Sequence, residues 1–186
     1  MKRELIVTAL ATAAILATTG FPAHAVTGNA LPAVGTKLSS GDVSFVHEAS
    51  SSGQAEVEFG QLLTQKAQSQ ALKDYGNRLI RDHTLANEKL ARIALEKGVT
   101  VATEPNAKER KELDALQSLS ATDFAETAKE DAIRDHREAI QMFQEASQTL
   151  QDPDLRQFAK QTLPVLEEHL RLAQQLKVGP AQGAQH

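Results

Sequence analysis

Four residues of this sequence combine metal-ligating side chains with positions that should face a protein interior: Glu56, His83, His136 and His169. His83 shares a face with Leu72, Tyr75, Leu79, Ala86, Leu90 and Ile93. Spacings of three and four put all of these on one side of a helix. His136 lies in the same way between Ile133 and Ile140, and His169 between Leu166 and Ala173. With ~100° per residue and Phe45 at zero, Glu56 falls about 20° from the centre of an apolar stripe that also carries Ala49, Leu63 and Ala67. On the same wheel Glu58 points to solvent and His47 lies near ~200°, on the surface. His186 belongs to the tail.

Three imidazoles and a carboxylate match zinc, iron, copper or manganese by ligand type. The same residues also fit a metal-free hydrogen-bond network. Asp82, Asp135 and Glu168 each precede one of the histidines, and Glu56 could itself accept a histidine proton. Residue types alone leave both readings open. The di-iron bundles need Glu-x-x-His on two helices. Here the residues three before the histidines are Ile80, Ile133 and Leu166. The bridging carboxylates are therefore missing, which argues against a di-iron centre and leaves room for at most one transition-metal ion. The chain has no glycine-rich phosphate loop, no G-x-S-x-G elbow and no H-E-x-x-H pair, so no catalytic residue is assigned.

The elements that must position these four residues are helices. Aromatics make up 4% of the chain, and Ala, Leu, Gln, Glu and Lys dominate, which favours helix over strand. The first helix is expected from Asp42 to Gln68, capped near Ser40 or Asp42. The second runs from Ser69 to Lys97, with Gly98 after its end. Pro105 and Asn106 open a short helix through Leu119. Ser120 and Asp123 resemble a cap for the third long helix, which ends near Leu150. Asp152-Pro153 is a strong start signal for the fourth, which reaches Lys177 and contains Pro164, where it should bend. Gly53 and Gly60 weaken the first helix but leave room for a neighbouring side chain.

Short connections make the first and last pairs antiparallel hairpins. The connection over Val99–Ser120 is long enough to cross the whole molecule. Four long helices with one long crossover is the ferritin-like four-helix bundle arrangement, and a simple up-down bundle is the alternative. Mid-helix residues then share one level, so Glu56, His83, His136 and His169, one from each long helix, can converge.

The ends of the chain read differently. Lys2 and Arg3, the uncharged run Leu5–Thr18, the break at Phe21-Pro22 and Ala23-His24-Ala25 form a secretory signal peptide cut after Ala25. The apolar run is short for a span of ~20 residues. Val26 to Gly41 reads as a flexible leader, residues 42–177 as the bundle domain and Val178–His186 as a flexible tail. The expected location is periplasmic or secreted, with no transmembrane segment in the mature chain. There is no cysteine for disulfides or lipid attachment. The net charge of −4 becomes one unit more negative when Lys2, Arg3 and Glu4 are removed, so a nucleic-acid partner is not expected.

The stretches Gly53-Gln54-Ala55-Glu56-Val57-Glu58-Phe59-Gly60, Arg81-Asp82-His83, Arg134-Asp135-His136 and Thr162-Leu163-Pro164-Val165-Leu166-Glu167-Glu168-His169, in that order, resemble the DUF four-one-four-two family. The resemblance covers roughly Ser44 to Leu176. It implies a ferritin-like helical bundle and a bacterial envelope location, and it implies no established activity. Two function classes follow: a periplasmic protein holding one transition metal, or a metal-free envelope or stress-related bundle that acts by contacting a protein partner.

Overall fold

Ser39 begins the ordered architecture. Its hydroxyl accepts from the Asp42 backbone N–H, and the Asp42 carboxylate accepts from the Ser39 N–H, a reciprocal cap. The cap is therefore Ser39, one residue before the expected Ser40. Asp42 also accepts from the backbone N–H groups of Gln151 and Asp152, so one carboxylate ties the start of the first helix to the last interhelical turn. The structure, a computed structural model, describes residues 37–178. The signal peptide, most of the expected leader and the tail from residue 179 lie outside the described residues.

Among the described residues there are five helices and no strand: α1 (Ser40–Lys66), α2 (Gln70–Glu96), α3 (Ala107–Ser118), α4 (Ala121–Thr149) and α5 (Pro153–Gln175). Each boundary has a local cause. Gly98 takes φ +69, the left-handed conformation that closes α2. Asn106 caps α3 together with Glu109. Ser120 caps α4, and Asp152 with Pro153 starts α5. Ser69 stands at the α2 N-cap without a side-chain bond. α5 remains helical through Pro164.

Two apolar clusters fix the directions of the helices. One joins Phe59, Leu62 and Leu63 of α1, Leu72, Tyr75 and Leu79 of α2, Phe124, Ala128 and Ala132 of α4, and Ala173 of α5. The other joins Phe45 and Val46 of α1, Leu90 and Ala94 of α2, Phe143 and Ala146 of α4, and Leu155 and Phe158 of α5. The C-terminal halves of α2 and α4 thus meet at the same end, so these two helices run parallel. The 97–120 connection travels the length of the molecule to allow this. Each fully buried Leu or Phe in these clusters contributes ~1.5–3 kcal/mol relative to an exposed one.

Glycines set the closest helix contact. A Cβ on Gly60 would lie 2.7 Å from the Gly76 carbonyl oxygen, and one on Gly76 would lie 2.6 Å from that of Gly60. Only two facing glycines let α1 and α2 approach so closely. Gly53 makes room for Asn87, whose Oδ1 would be 2.0 Å from an added Cβ.

The crossover is strapped to α1. The Ser51 hydroxyl donates to Glu109 and accepts from the Asn106 N–H, and Ser50 accepts from the Ala102 N–H. Arg110 grips Glu58 through two nitrogens. Glu58, expected to face solvent, is thus half-covered by α3, because the wheel of one helix carries no information about a strap that crosses it.

Candidate metal site

Between the two apolar clusters lies a polar layer. α2 supplies His83, its middle residue, α4 supplies His136 and α5 supplies His169. All three are buried, with His136 1% and His169 0% exposed. Their ring centroids are 5.2–5.8 Å apart, and one nitrogen from each lies within 4.8 Å of the others. The stripe positions that place each histidine inward bring the three together.

The hydrogen bonds at the outer edges of two rings determine where their protons sit. His136 Nδ1 is 2.9 Å from the Ala132 carbonyl oxygen. A carbonyl can only accept, so Nδ1 carries the proton and Nε2 of the neutral ring is a bare lone pair. His169 Nε2 is 2.8 Å from Asp82 Oδ2, which accepts in the same way and leaves His169 Nδ1 bare. These two bare nitrogens face each other at 3.2 Å. With both rings neutral, the pair has no proton to share and is not a hydrogen bond. His83 Nε2 is also buried without a partner.

Burial keeps the rings neutral. Desolvation pushes His136 down to about 4, and its backbone bond only partly opposes this. Desolvation likewise brings His169 down to about 4 against the pull of Asp82. His83 is held well below the ordinary histidine value by burial and by its two neighbouring imidazoles. At neutral pH the layer is three uncharged imidazoles with lone pairs turned toward one another.

Glu56 is buried beside this group but is not part of the converging set of nitrogens. Its Oε1 lies 3.8 Å from His136 Nδ1, the edge of the ring that faces Ala132. Burial, aided by the charge of Glu109, pushes its carboxyl up to about 8, so the contact is not an ion pair at neutral pH. Oε2 has no hydrogen-bond partner. Glu56, His83 and His136 line a small cavity of about 20 Å³, enough for one small atom or water by the usual size requirement of ~10–15 Å³.

Three further groups take places at the site that residue types alone do not assign. The Ala132 carbonyl is a main-chain group four residues before His136, and residue type does not mark it. Asp82 pairs with His169 of α5 rather than with its neighbour His83. Its position one residue, ~100°, round from His83 was the available signal. Tyr75 sits two turns before His83 on the same stripe. Its ring is 6.5 Å from His136 and 6.4 Å from His169, and its buried hydroxyl has no partner. His47 is exposed, as its wheel position implies.

Outer partners that fix the tautomer of each imidazole are a regular feature of metal-binding histidines: a carboxylate or a backbone carbonyl takes the second N–H. Both are present here. Two imidazole nitrogens on a tetrahedral ion at 2.0–2.1 Å would be separated by about 3.3–3.4 Å, close to the 3.2 Å between His136 and His169.

Comparison with known proteins adds a family and a fold. A family model described as "Domain of unknown function (DUF4142)" matches residues 28–176. A crystal structure of a DUF305 fragment from Deinococcus radiodurans is similar with a TM-score of 0.66 at 11% identity, covering 75% of this chain and 97% of that one. At that identity the likeness concerns the fold. No curated protein matches the chain.

Proposed function

Because the chain belongs to the DUF4142 family, whose description assigns no activity, we infer its function from the buried site: it binds a single transition-metal ion through His83, His136 and His169. One observation carries this reading. The two facing nitrogens of His136 and His169, 3.2 Å apart, are both lone pairs when the rings are neutral. A cation between them turns a repulsive contact into two bonds. A metal-free network would instead require a proton between the rings, and burial opposes that added charge. Nitrogen donors suit zinc, copper, nickel, cobalt or iron. Glu56 is a buried carboxylate 3.8 Å from His136 and lines the same small cavity as His83 and His136, so in this reading it supplies an oxygen donor or balances the charge of the ion.

In the same reading the four long helices form a ferritin-like four-helix bundle with α3 in the crossover. The parallel course of α2 and α4 supports this. The bundle is the exported part, acting in the periplasm after cleavage following Ala25, and N-terminal sequencing that starts at Val26 would support it. No described helix is long and apolar enough to cross a membrane.

The metal reading is tested by titrating purified protein with Cu(II) or Zn(II) after chelator treatment. The expected result is one ion per chain in the wild type and loss of that ion in His136→Ala and His169→Ala. Stoichiometric retention in both variants would refute the site, and so would a wild type that takes up no metal.

A further inference from the structure

One deep cleft opens toward this layer from solvent. It has a volume of about 360 Å³ and lies between α1, α3 and α4, under the strapped crossover. Glu48, Glu109, Glu112, Asp131, Asp135 and Glu138 line it, against Lys108 and Arg134. Lys108 is paired with Glu112, and Arg134 with Asp131 and Asp135. Among the described residues Glu48, Glu109 and Glu138 are in no ion pair, so the carboxylates outnumber the cations and the field of the cleft is negative.

An acidic surface alone says little, since carboxylates are common on helices. The floor is different. Glu56, 9% exposed, lines both this cleft and the small inner cavity that His83 and His136 share. Ser52 and Ala139 are common to both as well. Thus a buried carboxylate with an unpartnered oxygen forms the partition between a solvent-filled acidic cleft and a cavity where His83 Nε2 is also unpartnered. A second groove approaches from the opposite side, between α2 and α5, and reaches Asp82. Arg78 and Lys89 balance Asp82 and Glu168 there, so that groove has no attraction for cations.

We propose that the cleft between α1, α3 and α4 is the passage through which a divalent transition-metal ion reaches the three histidines, with Glu56 handing it from the cleft to the inner cavity. This rests on the metal reading above. The negative walls raise the local cation concentration, a rate effect that weakens with salt. Glu56 offers the first oxygen beyond the reach of solvent, and the unpartnered imidazole lies across a cavity of atomic dimensions.

The chain contains one tyrosine and no tryptophan. Tyr75, next to two of the histidines, is therefore a local fluorophore, and Cu(II) arriving at the site quenches it. Stopped-flow quenching by Cu(II) at low ionic strength measures loading. The exposed and half-exposed pair Glu112→Gln/Glu138→Gln is expected to load about fivefold more slowly, with a flatter salt dependence. Glu168→Gln, in the opposite groove, is expected to load at the wild-type rate. Ala55→Leu, which narrows the cleft at a position outside the inner cavity, is expected to slow loading and release by the same factor with unchanged affinity, because a passage acts equally in both directions. Wild-type loading rates in both cleft variants would overturn the passage while leaving the site intact, as would equal slowing by Glu168→Gln. Absence of any quenching or bound copper in the wild type would overturn the site and the passage together.

Discussion

His136 Nε2 and His169 Nδ1 face each other at 3.2 Å, and each ring has its only proton turned away, toward Ala132 and Asp82 respectively. Two helices from one hairpin thus bring two lone pairs into contact in a buried polar layer between two apolar clusters. The arrangement is unfavourable when empty of charge and favourable around a cation.

Metal should stabilise the fold. A ligand that binds only the native state at a hundredfold over its Kd adds ~2.7 kcal/mol, or roughly 5–10 °C in Tm for a domain of this size. Thermal unfolding with Zn(II) and with chelator is expected to differ by that amount in the wild type and not in His169→Ala. Equal shifts in the two proteins would place the ion elsewhere.

Asp82 should matter without touching the ion. Asp82→Ala removes the acceptor of the His169 N–H, so the ring is free to turn its proton inward. Loss of such an outer partner typically costs 10–100-fold in metal affinity. The neighbouring Arg78–Asp82 pair, at 3.4 Å and partly exposed, contributes little to stability. Calorimetric titration is expected to show weaker binding with near-wild-type Tm in chelator, and undiminished affinity would remove Asp82 from the site.

The apoprotein should have a pH profile with two opposing limbs. Glu56 is raised from 4.5 to about 8 in the fold. Its contribution is fully present below pH 4.5 and is lost as pH rises through 8. His136 and His169 are depressed from 6.5 to about 4. Their contribution is present above 6.5 and is lost as pH falls toward 4. Glu56→Gln removes only the first limb. Its Tm relative to the wild type is expected to climb between pH 4.5 and 8 and then level off. A difference that stays constant over that range would contradict the buried, protonated state of Glu56.

Gly60 and Gly76 should be intolerant of a methyl group. Either Gly→Ala change drives a Cβ to within 2.7 Å of a backbone oxygen across the helix pair, and overpacking of this kind costs ~1–3 kcal/mol. Gly41→Ala, whose nearest neighbour would be 3.8 Å away, serves as the control and should be neutral or slightly stabilising. Urea unfolding separates the three variants, and equal stability would mean the helices part without cost.

Most of the helices were readable because they carry their own punctuation, whereas the α1–α2 break, with no Gly or Pro and no side-chain cap at Ser69, followed only from the unusual length of an unbroken helix. Asp152-Pro153, Ser120 with Asp123, Asn106 with Glu109, and Gly98 act within a few residues of themselves, so no distant contact is needed to make them work. The inward turn of His83, His136 and His169 followed from helical period alone. The α1 cap was shifted by one residue, to Ser39, because serines stand at both 39 and 40 and backbone geometry selects between them. Glu58 was misjudged because its partner, Arg110, comes from α3, 52 residues away.

The sequence by itself determined that the chain is helical, where its helices lie to within about two residues, and that Glu56, His83, His136 and His169 turn inward. These depend on interactions within one or two turns. Only the tertiary structure decided which nitrogen of each imidazole holds its proton, since the acceptors are a carbonyl of α4 and a carboxylate from α2 meeting a ring from α5. Only it brought three imidazoles to one point while leaving Glu56 at the ring edge of His136 and at the floor of the cleft. Helical period gives the direction of a side chain to within about half a turn, whereas bond-length placement depends on how closely the helices approach, and here Gly60 against Gly76 helps set that distance for α1 and α2.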